Sequence, residues 1–494
     1  MNRLSTLLFG ILSAMPVMSC IAQQPMNRLT YPEVLQLAKE QSPQAILAKH
    51  RFRAAYWEYR TFVAEYRPTL SMNGTIPEFS RSLIRYQNPD GSYSYIEENA
   101  NTTSLGLSLS QNIGFTGGQI FVKSNLERTD LLGDSSSTSY LSVPVSIGFS
   151  QPLFAMNRLK WNKRIEPIKY EEAKKSFIQS MEDISIEASR LFFNLAMAQQ
   201  NLETARLNYS NTDTLYKIAQ GRYNIGTIAE NELLQMELSF LNAGTQVNEA
   251  EVDLQLKKIQ LKSFLGLNDQ YDLEIILPTA IPQFELIYDK VMMLARENNP
   301  QILSYERQLI EADRDVAQAR SERGFNASLY ATYGLTQRAL NVSDAYKDPQ
   351  DQQNVRVGIT IPILDWGLGK GKVKMAQSNR EVIKTTVQQA MTDFEQDIFL
   401  KVMQFNRQDD QVMIAEKADY ISQNRYEVTK QRFLIGKIDV LDLNVAQSER
   451  DQAKQKYIST LGSYWQFYYQ MRRLTLFDLQ NNQPLQADFE MLLK

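Results

Sequence analysis

The 494-residue chain has one cysteine and one histidine, Cys20 and His50. A single thiol excludes an intramolecular disulfide framework and a cysteine-cluster metal site. A single imidazole removes most histidine-based catalysis and zinc ligation. His50 has no partner cluster and reads as part of a solvated helix face. No other residue constellation points to chemistry, so the chain reads as a non-enzyme with no cofactor and no metal. Glycine (21) and proline (16) are too sparse for a collagen-like or low-complexity chain. Basic residues are not in excess, with 53 Lys+Arg against 56 Asp+Glu and a net charge of −3, which argues against nucleic acid as a partner. Apolar runs of about 20 residues are missing, and the mean hydropathy is −0.37, so a polytopic helical membrane protein is excluded.

What is present begins with an address. Arg3 and the apolar stretch Leu4 to Met18 precede the small residues around Cys20-Ile21-Ala22. That order reads as a secretory signal peptide over residues 1–22. Val17-Met18-Ser19-Cys20 is an imperfect lipobox, which leaves lipidation of Cys20 open beside plain cleavage after Ala22.

The remainder is written twice. Leu37-Ala38-Lys39-Glu40 followed by Pro43-Gln44 returns as Leu294-Ala295-Arg296-Glu297 followed by Pro300-Gln301. Gly148-Phe149-Ser150-Gln151-Pro152-Leu153 returns as Gly358-Ile359-Thr360-Ile361-Pro362-Ile363. Arg222-Tyr223-Asn224-Ile225-Gly226 returns as Arg432-Phe433-Leu434-Ile435-Gly436. The last two pairs share an offset of 210, whereas the first has 257. Two landmarks that far apart with one offset mark an internal repeat. The halves are 23–280 and 281–494, and 47 extra residues of the first lie between Pro43 and Gly148.

Each half has one order of elements. Ser42-Pro43 and Asn299-Pro300 set an N-cap before a proline at the first helical position, opening helices that run to about Arg67 and Arg323. A region rich in Ser, Thr, Tyr and Gly follows. A long helix then starts near Asn157 and near Gly367 and continues for about 60 residues, which at 1.5 Å each is about 90 Å. Glycine turns end these helices, and second helices run over about 228–265 and 438–477. Ile184, Ala188, Leu191, Leu195, Ala198, Leu202 and Ala205 keep a 4-3 spacing, the stripe of coiled-coil packing. Phe394, Ile398, Phe405, Val412 and Ala415 hold the same register, interrupted by Lys401 and Gln408.

The regions between helices read as strands over 69–77, 103–113, 118–129 and 140–153, then 326–336 and 353–364. Leu105, Leu107 and Leu109 alternate with polar neighbours, as do Val143, Val145, Ile147 and Phe149. Lengths near ten suit a tilted transmembrane strand, and one short link (114–118) beside long polar links (79–101, 130–139, 337–352) suits an outer-membrane barrel. Six strands are fewer than the eight of the smallest single-chain barrel, and an open edge is not tolerated in lipid, so several chains must share one barrel. A soluble β domain stays open beside this reading.

This order of helix, strands, long helix, glycine turn and helix resembles the TolC family of outer-membrane efflux channels. The resemblance rests on the Leu-Ala starts before Pro43 and Pro300, on Phe149-Ser150-Gln151-Pro152-Leu153-Phe154, and on the two Arg-aromatic-x-Ile-Gly turns. It implies an α+β membrane protein, internally duplicated: a trimeric outer-membrane β-barrel continued by a long periplasmic α-helical barrel. The implied function is a passive exit duct, fed by an inner-membrane transporter through a periplasmic adaptor protein. The homotrimer would sit in outer-membrane lipid and extend into the periplasm. The 47 extra residues depart from the usual two strands per half and suggest eighteen strands in all. By the same resemblance Arg222, Ile225, Gly226, Thr227 and Arg432, Ile435, Gly436, Lys437 form the adaptor-docking tips. Glu232 and Asp442, each six residues past its tip glycine, would line the pore entrance. Asp439, three before Asp442, falls on the same helical face and joins them. Val445 stands where the family has a further acidic residue. Tyr223 and Phe433 are gate aromatics on this reading, or ordinary packing.

Lys160, Lys163, Arg164, Lys370, Lys372 and Lys374 follow the last strand of each half, placed either to meet lipid phosphates or simply to be solvated. Gly367-Leu368-Gly369-Lys370-Gly371-Lys372 hints at a phosphate loop but lacks the four-residue gap and the Ser/Thr after Lys. The aromatic run Tyr464 to Tyr469 reads as packing. A second function class remains: a secreted periplasmic or surface coiled-coil protein, structural or adhesive, without a pore.

Overall fold

A computed structural model describes residues 28–493 apart from 134–135, 269–272 and 279. The signal-peptide reading and Cys20 lie outside the described residues. In chain order come β1 (Arg28–Thr30), α1 (Tyr31–Gln41) and α2 (Pro43–Ala64), then strands β2 (Thr69–Gln87), β3 (Tyr93–Asn112), β4 (Gln119–Leu132) and β5 (Ser137–Leu153). Helices α3 (Arg158–Asn224) and α4 (Glu230–Leu265) and strand β6 (Glu274–Ile276) complete the first repeat. The second has α5 (Tyr288–Asn298), α6 (Pro300–Arg323), β7 (Asn326–Ala339), β8 (Gln350–Thr360), α7 (Leu368–Phe405), α8 (Gln408–Leu434) and α9 (Val440–Thr475). Short elements β9 (Phe477–Asp478), β10 (Gln483–Pro484) and α10 (Phe489–Leu493) close the chain.

The chain divides into two compact units. The helical unit comprises residues up to Pro43, Glu187–Ile281 and Gln411–Ser463. It holds the later turns of α3, with α4, most of α8 and the first part of α9. Its core includes Leu215, Met236, Tyr426, Phe433, Leu443 and Ala446. At its other margin β1 pairs with β6 in parallel, and Tyr31 packs its ring 5.1 Å from that of Phe192.

The second unit comprises Gln44–Ile186, Pro282–Asp410 and residues from Tyr464 onward. Its centre is a six-stranded antiparallel sheet in the order β2-β3-β4-β5-β7-β8. Phe52 of α2 and Phe177 of α3 meet Phe489 of α10, with ring centroids 5.0 Å (Phe52) and 6.3 Å (Phe177) away. Arg472 bonds Glu182 and Asp478, both at 2.8 Å, in a buried cluster of three charges. The aromatic run of α9 packs as expected: Tyr464, Tyr468 and Tyr469 are all buried.

The heptad stripe is buried without exception, from Ile184 to Ala205 and from Phe394 to Ala415. Asn299 caps α6 through its side chain, accepting from the N–H of Gln301 at 2.9 Å. Two sequence expectations need correction. The long helix of the second repeat is not continuous, because α7 ends at Phe405 and α8 starts at Gln408. Asn406 lies at the break, and its amide exchanges two hydrogen bonds of 2.9 Å with the backbone of Leu286. Its repeat counterpart is Ala196, which has no such group, and α3 runs through. The polar link 79–101 is not a loop either. It is strand, since β2 and β3 continue through it to a turn at 88–92. Among the described residues, 82–98 pair only with one another, beyond the point where β4 ends opposite Asn99. The β2–β3 ladder is irregular between Thr75 and Glu78, where Pro77 has no N–H to donate.

Candidate functional site

Residues opposite one another across a sheet share a face, so the register sorts the sheet into two surfaces. One row is Leu70, Leu109, Val122, Ile147 and Tyr333, crossing β2 to β7. The same face carries Met72, Leu107 and Leu105 and ends on Val355, Val357 and Ile359 of β8. These large apolar side chains stand exposed, apart from the half-buried Val122: Leu70 is 69% exposed, Val355 73% and Ile147 55%. The opposite row is Ser71, Ser108, Lys123, Ser146, Gly334 and Gln352. A soluble sheet buries its apolar face and wets its polar one. Here an apolar face lies open across the width of the sheet, as in a strand wall whose outside is lipid and whose inside is water.

The helix ends are fastened to one edge of this wall. Asn112 donates to the carbonyl of Glu65 at 3.0 Å, Gln111 to that of Tyr66 at 2.9 Å, and Tyr66 to that of Leu159 at 2.6 Å. Gln151, from the repeated motif, is buried and donates to the carbonyl of Thr116 in the β3–β4 turn. Gly148 of the same motif is forced by close approach: a Cβ there would sit 2.3 Å from the ring of Phe121. Phe154 and Trp366 are exposed where strands give way to helices, and Phe115 is exposed in the β3–β4 turn, Phe115 by 94% and Trp366 by 90%. Aromatic residues in that position form the belt at a membrane interface. Gly367 and Gly369 do not cradle a phosphate. Their N–H groups bond the carboxylate of Asp365 at 2.9 and 2.8 Å, and those bonds hold that carboxyl below its usual range.

At the turns of the helical unit the two repeats have the same backbone. Gly226 and Gly436 adopt φ of +75° and +71°. Thr227 N–H reaches the carbonyl of Arg222 at 2.9 Å and Gly226 N–H that of Tyr223 at 2.8 Å. Lys437 N–H bonds Arg432 at 3.0 Å and Gly436 N–H bonds Phe433 at 2.9 Å. Both are Schellman turns, which explains the glycine in each copy. Arg222 joins them, donating to the carbonyl of Leu434 at 3.1 Å while its guanidinium lies 5.8 Å from the Phe433 ring. Between the turns is a groove of about 700 Å3 lined by Arg222, Glu232, Met236, Phe433, Lys437 and Asp439. Ile225, Thr227 and Gly436 also border it, whereas Tyr223, Arg432, Ile435 and Asp442 do not. Ile225 and Ile435 point outward, 74% and 66% exposed. The two candidate gate aromatics differ: Phe433 is buried in the core and Tyr223 is partly exposed.

Asp439 is not on a helical face with Asp442. It precedes the first residue of α9, and its carboxylate accepts the N–H of Asp442 at 2.9 Å, so it is the N-cap. The spacing of three that suggested a shared face is also the spacing of a capping bond. The first repeat has Ala229 at that place, with Glu230 and Glu232 in the first turn of α4.

The sequence reading missed a buried polar cluster in the same unit. Arg450 is 5% exposed and bonds Asp451 at 2.6 Å and Asn208 at 2.7 Å. Its guanidinium lies 4.2 Å from the centre of the Tyr426 ring. Burial pushes the Tyr426 hydroxyl up, and Arg450 opposes that shift. A lone Arg in a helical stretch gives no sign of burial. The signal was the density of Asn and Thr on α3 between Asn201 and Thr212.

One chain that carries both a two-faced sheet and a pair of matching helical turns has the make-up of the outer-membrane channels built from strands and helices. The sequence model of the family described as "Outer membrane efflux protein" matches residues 34–267 and 291–475, and the chain belongs to that family. Among solved structures, the Campylobacter jejuni CmeC outer membrane channel is similar with a TM-score of 0.66 and 17% identity, over 93% of this chain and 88% of that one. The outer membrane protein VceC of Vibrio cholerae gives 0.63 and 13%, over 92% and 97%. The open state of the Neisseria gonorrhoeae MtrE outer membrane channel gives 0.60 and 14%, over 92% and 91%. An uncharacterised protein of Haemophilus influenzae is 26% identical over 113 residues, a stretch spanning 25% of its length. The fold is that of outer-membrane channels.

Proposed function

We propose that three copies of this chain form the passive exit duct of a tripartite efflux or secretion system. The observation that carries the reading is the sheet with one exposed apolar face, one polar face and two unpaired edges. Such a sheet is stable in lipid only when copies close it into a ring. The periplasmic helices continue the duct, and energy comes from an inner-membrane transporter, since the chain has no nucleotide site of its own by sequence. Residues 1–22 direct export, and the repeats are 23–280 and 281–494; the two separately matched family segments support that division.

The tips dock a periplasmic adaptor through Arg222, Ile225, Gly226, Thr227 and Arg432, Ile435, Gly436, Lys437. The exposure of Ile225 and Ile435 beside Arg432 and Lys437 supports this, because an apolar point rimmed by cations suits a protein partner. Glu232, Asp439 and Asp442 supply the acidic entrance, with Tyr223 and Phe433 as its aromatics. In a threefold ring these carboxylates crowd together and favour cations.

Single-channel recording in planar bilayers tests both levels. Asp439→Asn/Asp442→Asn removes charge and leaves a capping side chain at 439. Cation-selective conductance that changes in the double variant supports duct and acidic entrance together. Conductance identical in both forms sinks the entrance and leaves the duct. A protein that gives no conductance and stays soluble without detergent sinks the duct and returns the coiled-coil alternative.

A further inference from the structure

The sheet contains six strands, and all six obey one two-faced pattern. The row Leu70, Leu109, Val122, Ile147, Tyr333 shows that β2 and β3 carry the same apolar face as the strands after them. The polar row from Ser71 to Gln352 shows the same for the opposite face. The additional hairpin is therefore part of the wall and not a cover lying on it. The strands at the two free edges are also the most open. All nineteen residues of β2 are exposed, and all eleven of β8 but Gly358. Every neighbour in the order is antiparallel, so in a sheet of six the first and last strands run in opposite directions. A β8 edge laid against β2 of a second copy continues the antiparallel ladder and keeps the apolar faces on one side.

We propose that the β2–β3 hairpin widens the shared barrel to eighteen strands, six from each copy, through a seam between β8 of one copy and β2 of the next, and that the lumen passes bulky hydrophilic cargo. The proposal rests on the three-copy reading above. For strands about 4.8 Å apart and tilted by about 40°, the backbone radius rises from about 12 Å at twelve strands to about 18 Å at eighteen. Barrels of sixteen to eighteen strands enclose an aqueous channel. The lumen face carries small residues at Ser71, Ser108, Ser146, Thr332 and Gly334, with Phe121, Lys123, Tyr330 and Gln352 as its larger side chains. The wall then admits solutes on the order of 20 Å across, which a twelve-strand ring with side chains inside excludes. The seam joins unlike edges, so it is a head-to-tail contact that closes as a ring.

Engineered cysteines test the seam. Leu70→Cys is combined in turn with Val355→Cys, Val357→Cys and Ile359→Cys, all on the apolar face, in trimer extracted from outer membranes. One of the three registers is expected to give a covalent dimer and trimer ladder on oxidation, with none from the single variants. A parallel set places Val122→Cys of β4 against the same three positions. Cross-linking in the β4 set and not the β2 set overturns the eighteen-strand wall while the trimer stands. A heat-modifiable trimer that cross-links in neither set also overturns the seam and leaves the exit duct untouched. Absence of any oligomer fails the exit-duct reading itself. The width is read separately from polyethylene glycols of graded size added to the barrel side of a bilayer. Polymers about 20 Å across are expected to lower the wild-type conductance, and a cutoff near 10 Å overturns the wide lumen. A variant lacking Thr69–Asn112, where it assembles, is expected to shift the cutoff downward about twofold in cross-sectional area.

Discussion

At the scale of single residues, backbone conformation decides more than side-chain chemistry. Gly226 and Gly436 have open space where a Cβ would go, so alanine costs only the left-handed φ, about 1 kcal/mol at each position. Gly226→Ala/Gly436→Ala is expected to leave the trimer assembled and to speed proteolysis at the tips, measured by limited digestion. Asp409 carries a pH signature. Burial and then the neighbouring Asp410 raise its carboxyl above the ordinary range. The folded state thus holds that proton more tightly than the unfolded chain, and stability falls as pH rises through the shifted value. Asp409→Asn is expected to raise the melting temperature at pH 7 and to leave it unchanged near pH 3. A melting temperature unaltered at both would show that Asp409 ionises freely. The tip glycines were legible from sequence because only one residue type suits φ > 0 twice in register. Asp439 was misplaced because a three-residue spacing fits both a helical face and a cap. The difference depends on where α9 begins, and sequence marks helix ends weakly.

At the scale of elements, duplication made most boundaries readable. The starts at Pro43 and Pro300, the strands over 140–153 and 326–336, and the helices after each tip lie within a few residues of where the patterns put them. The break between α7 and α8 was not legible. No Pro or Gly marks it, and what stands at it is a tertiary pair of bonds between Asn406 and Leu286. Asn406→Ala removes both bonds and leaves the Leu286 N–H and carbonyl without them, a cost of about 2 kcal/mol. Denaturant unfolding would register that loss, and a variant as stable as wild type would show that the break has another cause. The reach of β2 to Gln87 was hidden because Ser80, Arg81, Ser82 and Arg85 dilute the alternation. Gly148 carries the sharpest expectation for the sheet. Gly148→Ala drives a methyl into Phe121, so the trimer is expected to dissociate at a lower temperature on gels. Adding Phe121→Leu should recover part of the loss.

At the scale of the whole molecule, strand number decides. Strands too few to close alone already imply a shared wall. Family membership, matched in both repeats, and the likeness to outer-membrane channels agree with that inference. The buried stripe from Ile184 to Ala205 was equally legible, because a 4-3 spacing is a property of the helix itself. The Arg450 cluster was not, since it joins residues of three helices that only the fold brings together. Arg450→Met removes a buried charge and leaves Asn208 Oδ1 and Asp451 Oδ1 without the guanidinium, while Asp451 Oδ2 keeps the bond from Asn208 Nδ2 at 2.8 Å. A large loss of stability, roughly 3 kcal/mol, is expected by thermal melting of the purified trimer.

The overhanging part of the β2–β3 hairpin has one more consequence. Among the described residues, 82–98 pair only across their own ladder, and Arg81, Arg85, Tyr86, Tyr93 and Tyr95 stand about it. Changes there disturb no neighbouring strand of the same copy, so this segment tolerates substitution while the wall beneath it stays fixed. The turn 88–92 is the place where an epitope tag can be inserted without breaking that wall.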